Sequence, residues 1–79
     1  MQQVAVLGLG LIGTSIGLGL RQWAAARREA PVRVIGYDAD LNRQRQARTM
    51  KAIDVEARDL PAAVREADLV VLATPVGVL

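Results

Sequence analysis

Gly8, Gly10 and Gly13 stand between an apolar run, Val4 to Leu7, and a stretch that can be helical, Thr14 to Arg28. That order of strand, glycine turn and helix is what a chain needs to hold a pyrophosphate against a helix N-terminus. Each glycine has its own task in such a site. Gly8 allows the tight turn out of the strand, Gly10, lacking a Cβ, lets the backbone approach the phosphates, and Gly13 lets helix and sheet pack together. The N–H groups of the first helical turn, backed by the positive end of the helix dipole, then face the anion.

A second feature turns this pattern into a fingerprint. Val32 to Tyr37 reads as a second strand, and Asp38 follows it 25 positions beyond Gly13. A carboxylate there accepts hydrogen bonds from the adenosine ribose hydroxyls. The plainer alternatives are a purely structural glycine turn and an Asp38 that only begins a turn with Asp40. Turn, strand and acid together point to a bound dinucleotide.

Composition bounds the remaining chemistry. At 79 residues the chain is one small domain at most, below the size at which a core easily supplies a comfortable stability margin, and so is expected to be part of a larger protein. It has no cysteine and no histidine. Disulfides and thiolate metal sites are excluded, and the commonest general base and metal ligand is missing. No catalytic residue and no metal site is expected here. The net charge of +2 is carried mostly by arginine, but the arginines are dispersed among eight acids, with one Trp and one Tyr for base stacking. Nucleic-acid binding is therefore not expected.

Val4 to Leu20 carries no charge over seventeen positions, and Gly13 and Gly17 have the spacing of a membrane helix-packing motif. A spanning helix needs about 20 apolar residues, and a secretion signal needs basic residues before its core. Only Met1, Gln2 and Gln3 precede this run. A buried strand followed by a turn accounts for it better, and a soluble, cytoplasmic protein is the expectation.

The positioning elements follow from the pattern. A first helix should run from about Leu11 into the Trp23 to Glu29 region, with Ile12, Ile16, Leu20 and Trp23 on the face toward the sheet. Pro31 ends it and Val32 to Tyr37 follows as strand two. Asp40 caps a second helix, Leu41 to Met50, with Leu41, Ala47 and Met50 as its apolar side. A short third strand is expected around Ile53 to Val55, and Asp59 caps a short helix that accepts Pro61 in its first turn. Leu69 to Ala73 reads as a buried parallel strand, with Thr74 and Pro75 marking its carboxyl end. The succession βαβαβαβ is α/β, a Rossmann-type doubly wound parallel sheet comprising roughly the first half and the fourth strand. The glycine turn, Asp38 and Thr74 all fall at the carboxyl ends of strands, where such sheets bind ligands. Thr74 serves equally well as a strand-end hydrogen-bonding residue.

The runs Val4 to Gly13, Val34 to Asp38, Ala52 to Asp54 and Ala67 to Val76 together resemble the N-terminal nucleotide-binding domain of prephenate dehydrogenases. Leu11-Ile12 between the second and third glycines and the closing Ala73-Thr74-Pro75-Val76 are the most telling pieces. The resemblance implies NAD-dependent oxidative decarboxylation of prephenate to 4-hydroxyphenylpyruvate, a step of tyrosine synthesis. It implies that Gly8, Gly10, Leu11, Ile12 and Gly13 carry the pyrophosphate, that Asp38 takes the ribose, and that Thr74 and Pro75 border the cofactor. It further implies a homodimeric parent enzyme whose catalytic histidine and helical substrate and dimerisation domain lie in other sequence. Residues 1–79 are then the N-terminal part of the NAD(P)-binding domain, inactive alone, with prephenate or arogenate as the small-molecule substrate of the whole.

Two departures from the family pattern stand out. Lys51 occupies a place where the family has glycine after the second helix, which points to a differently built loop. Thr14 replaces a small residue, and Gly17 and Gly19 weaken the first helix unless they permit close helix–sheet approach. Arg43 and Arg45 read as a solvated helix face, with reach to a 2′-phosphate, and hence NADP, as the alternative. Asp38 would repel that phosphate, so NAD is expected. The other functional readings are the nucleotide domain of another dehydrogenase, such as a hydroxyisobutyrate-type enzyme, and a non-catalytic dinucleotide-binding module.

Overall fold

Two apolar runs, Val4–Leu7 and Val34–Ile35, are buried on both faces, as the central strands of a parallel sheet must be. The computed structural model describes residues 2–26 and 31–73. Within them, β1 (Gln2–Leu7), α1 (Leu11–Ala26), β2 (Val32–Tyr37), α2 (Leu41–Thr49), β3 (Val55–Glu56), α3 (Leu60–Val64) and β4 (Leu69–Leu72) alternate along the chain. The strands are all parallel and lie in the order β3-β2-β1-β4. This is the expected Rossmann-like α/β arrangement, with the chain reversing direction across the sheet between β1 and β4.

The two-residue period of the strands divides the core. Val4, Val6 and Val34 turn to one face, where Leu9, Ala47, Ala52 and Ile53 pack, with Leu18 and Leu20 of α1 against them. Leu7 and Ile35 turn to the other, where Ala57 and Ala63 pack. So α1 and α2 cover one face and α3 the other. The physical reason is handedness. The first two crossovers step outward from β1, the third steps back past it to β4, and a constant right-handed crossover then places its helix on the opposite side.

α1 corrects the expected stripe. Ile12 is 68% exposed and Trp23 49%, whereas the buried residues of the helix are Gly13 and Gly17. Leu20 of that stripe does pack on the core, with Leu18 beside it, but a Cβ on Gly17 would fall on the Ala52 carbonyl oxygen, so the closest approach of the helix is made where there is no side chain. A Cβ on Gly19 would meet no atom within 4 Å, and that glycine does not contribute to this approach. α2 differs in the same sense. Ala47 is buried as expected, but its buried companion is Gln44, while Leu41 is 62% and Met50 55% exposed.

Aspartates finish what the strands leave open. Asp40 accepts from the N–H groups of Asn42 and Arg43 to cap α2, and Asp59 accepts from Ala62 N–H to cap α3, both as expected. Asp54 donates its N–H to Val34 O, and one carboxylate oxygen accepts Val34 N–H at 2.7 Å while the other meets Arg21 of α1. Because the side chain replaces the peptide carbonyl there, regular pairing starts at Val55, later than the expected Ile53. Asp68 repeats the device at the entry to β4, donating to Gln3 O and accepting Gln3 N–H at 2.8 Å.

Two further expectations meet the structure differently. β4 is not buried: Leu69, Val70 and Leu72 are exposed, because among the described residues β4 has a neighbour on its β1 side only. Lys51 takes the left-handed conformation usual for glycine, with φ 64°. No helix among the described residues is long and apolar enough to cross a membrane.

Candidate dinucleotide site

The site is assembled where β1 ends. Gly8 has φ 101°, a conformation open to glycine and strained for other residues, and its N–H donates to Tyr37 O at 2.8 Å. The chain then turns through Leu9 and Gly10 into α1, whose first helical hydrogen bond runs from Thr14 N–H to Gly10 O. A Cβ on Gly13 would fall on the Gly8 carbonyl oxygen, so strand end and helix start touch backbone to backbone. The Thr14 hydroxyl donates to Leu9 O at 3.0 Å and fixes the turn from inside.

Gly10 is of another kind. Its φ is not positive, and a Cβ built on it meets no atom within 4 Å. The fold therefore does not require the space that glycine keeps there. At α2 and α3 the residue before the first turn is an aspartate that caps it, whereas at α1 the corresponding residue, Gly10, has no side chain, and no acid lies in the first turn. The first-turn N–H groups, those of Leu11, Ile12 and Gly13, have no intrahelical acceptors by helix geometry. They carry the positive end of a 16-residue helix dipole.

Asp38 lies at the neighbouring strand end. Its Oδ2 accepts Leu9 N–H at 2.7 Å and its Oδ1 accepts Asp40 N–H at 2.8 Å. The turn with Asp40 is thus real, and it coexists with a contact to the glycine turn that the sequence did not reveal. Each oxygen keeps a lone pair for a further donor. A cavity of about 650 Å³ joins these parts, lined by Gly8 to Ile12, Asp38, Arg43, Gln46, Met50 and Ala73. Its volume suits a cofactor-sized ligand. The anion-facing helix start, the side-chain-free approach at Gly10 and the carboxylate within one concavity match the parts of a dinucleotide.

The Prephenate dehydrogenase, nucleotide-binding domain family matches residues 22–79. The chain belongs to this family. The matched stretch begins inside α1, so the glycine turn lies outside it and argues for nucleotide binding independently. The chain is accordingly a nucleotide-binding domain of the dehydrogenase type, with a Rossmann-like fold.

The expected site residues are distributed unevenly. Gly8, Gly10, Leu11, Ile12 and Asp38 line one cavity, and Gly13 supports it from behind. Thr74 and Pro75 lie outside the described residues. Arg43 reaches the cavity, with its Nε 3.9 Å from Asp40 Oδ2, while Arg45 lies on an adjoining groove along α2, with Asn42 and Thr49, that shares Gln46 and Met50 with the cavity wall. Sequence reasoning missed Gln46 and Met50 on the cavity wall, and above all Gln44. That residue is 3% exposed, and its position three residues before Ala47 on the sheet-facing side of α2 was the available signal.

Proposed function

We propose that residues 1–79 are the N-terminal part of the NAD-binding domain of a dehydrogenase that oxidatively decarboxylates prephenate to 4-hydroxyphenylpyruvate. The observation that carries the binding half of this reading is the open approach over Gly10, next to an uncapped helix start and the Asp38 carboxylate. The membership in the prephenate dehydrogenase nucleotide-binding family supports the substrate half.

In this reading the first turn of α1, from Gly10 to Gly13, holds the pyrophosphate, and Asp38 accepts from the adenosine ribose hydroxyls. Thr74 and Pro75 border the cofactor. The chemistry NAD supplies when bound is acceptance of a hydride. The residues here bind and orient it, and the proton-transferring group and the substrate contacts come from elsewhere in a homodimeric cytoplasmic enzyme, since this chain has no histidine. Arg43 on the cavity wall favours a second reading, a cofactor with a 2′-phosphate. Asp38 opposes it, because a carboxylate at the ribose repels that phosphate at close range.

The test is a calorimetric titration of the protein with NAD and NADP, repeated for Gly10→Ala. NAD is expected to bind at least tenfold more tightly than NADP. Gly10→Ala is expected to weaken NAD by tenfold or more while stability changes by no more than about 1 kcal/mol, the range of an N-cap preference. Unchanged NAD affinity in that variant would sink the reading.

A further inference from the structure

Gln44 is buried on the same side of α2 as Ala47, one turn on, whose methyl group serves packing alone. A buried amide is costly unless both its ends are bonded. Both are. Its Oε1 accepts Asp38 N–H at 2.9 Å, and its Nε2 donates to Ala57 O at 2.8 Å.

The two partners explain why the amide is there. The β2–β3 ladder runs through Ile35↔Val55 and Gly36↔Glu56, and Ala57 N–H donates to Gly36 O at 2.9 Å. In a parallel ladder the next rung would join Asp38 N–H directly to Ala57 O. Here the Gln44 amide is spliced into that rung, accepting from one strand and donating to the other. The amide thus stands between the end of β2 and the end of β3. On the opposite side of Asp38, the carboxylate reaches Leu9 N–H at 2.7 Å.

We propose that Gln44 is a positioning residue for the cofactor, a spacer that holds Asp38 off β3 and against the glycine turn so that its carboxylate meets the ribose. This rests on the reading of Asp38 as the ribose acid. Gln44 itself touches no ligand; it acts through the Asp38 main chain.

The experiment measures Kd for ADP and for 2′-deoxy-ADP, because the ratio isolates the ribose hydroxyl from the pyrophosphate. For the wild-type protein the ratio should be about tenfold, the worth of one charge-assisted hydrogen bond. Gln44→Met, which keeps the volume and removes both bonds, is expected to bring it to about twofold or less. Gln44→Glu, which keeps an acceptor for Asp38 N–H but turns an oxygen onto the Ala57 carbonyl, should not restore it, because the spacer needs both bonds. Gln44→Asn, one methylene too short to span the rung, should lose it and serves if the methionine variant does not fold. A merely structural glutamine would lower the melting temperature and leave the ratio alone, and a folded Gln44→Met or Gln44→Asn protein with wild-type discrimination overturns the proposal. If wild type and Asp38→Ala both bind the two nucleotides alike, the ribose assignment of Asp38 fails first, visibly without any Gln44 variant, and the spacer role falls with it.

Discussion

The Asp38 carboxylate accepts the Leu9 main-chain N–H at 2.7 Å across 29 positions of sequence, tying the end of β2 to the glycine turn after β1. With the Gly8 N–H bond to Tyr37 O, it gives the two central strands a connection that continues past their ladder. The residue expected to recognise the ribose is therefore also a fastening of the loop expected to hold the pyrophosphate.

Asp38→Ala removes the acceptor of two main-chain N–H groups, those of Leu9 and Asp40. The expected cost is about 1–3 kcal/mol of stability, measured by urea denaturation. NAD affinity should fall as well, and the preference for NAD over NADP should narrow, because the repelling charge is gone. A variant as stable as wild type would show that the fastening contributes nothing.

Gly17 and Gly19, two positions apart on α1, should respond with opposite signs. Gly19→Ala meets open space and is expected to stabilise the protein by about 1 kcal/mol through helix propensity and lost unfolded-state freedom. Gly17→Ala drives a methyl group into the Ala52 carbonyl and is expected to destabilise it by about 1–3 kcal/mol. Thermal melts of the pair decide it, and equal shifts would contradict the seating of α1 described above.

Lys51 takes φ 64° immediately after the Met50 cap of α2. Lys51→Gly removes a strain of about 1–2 kcal/mol, partly offset by the extra freedom of glycine in the unfolded chain. A net gain of up to about 1 kcal/mol in denaturant midpoint analysis is expected. A loss would mean that the side chain makes compensating contacts.

How far the sequence could be read depended on the range of the interaction. The limits of β2, the caps at Asp40 and Asp59 and the place of Pro61 in the first turn of α3 were legible, since each is fixed by residues within one turn of itself. The faces of α1 and α2 were legible only in part. Leu20 and Ala47 lie toward the core as expected, but Gly13, Gly17 and Gln44 are buried where large apolar residues were expected, because the Gly8 and Ala52 carbonyls come too close for a side chain at the glycines and because a strand end needs an amide at Gln44.

By itself the sequence determined the alternation of strands and helices, the glycine turn and the acid at the end of β2, because backbone freedom, local capping and hydrophobic periodicity are short-range properties written residue by residue. Only the tertiary structure decided that Asp38 holds Leu9, that Gln44 is spliced between Asp38 and Ala57, and that Arg43 rather than Arg45 faces the cavity. Those relationships join groups on separate elements, and a hydrogen bond of 2.7–2.9 Å between them exists only once packing has fixed where the elements end.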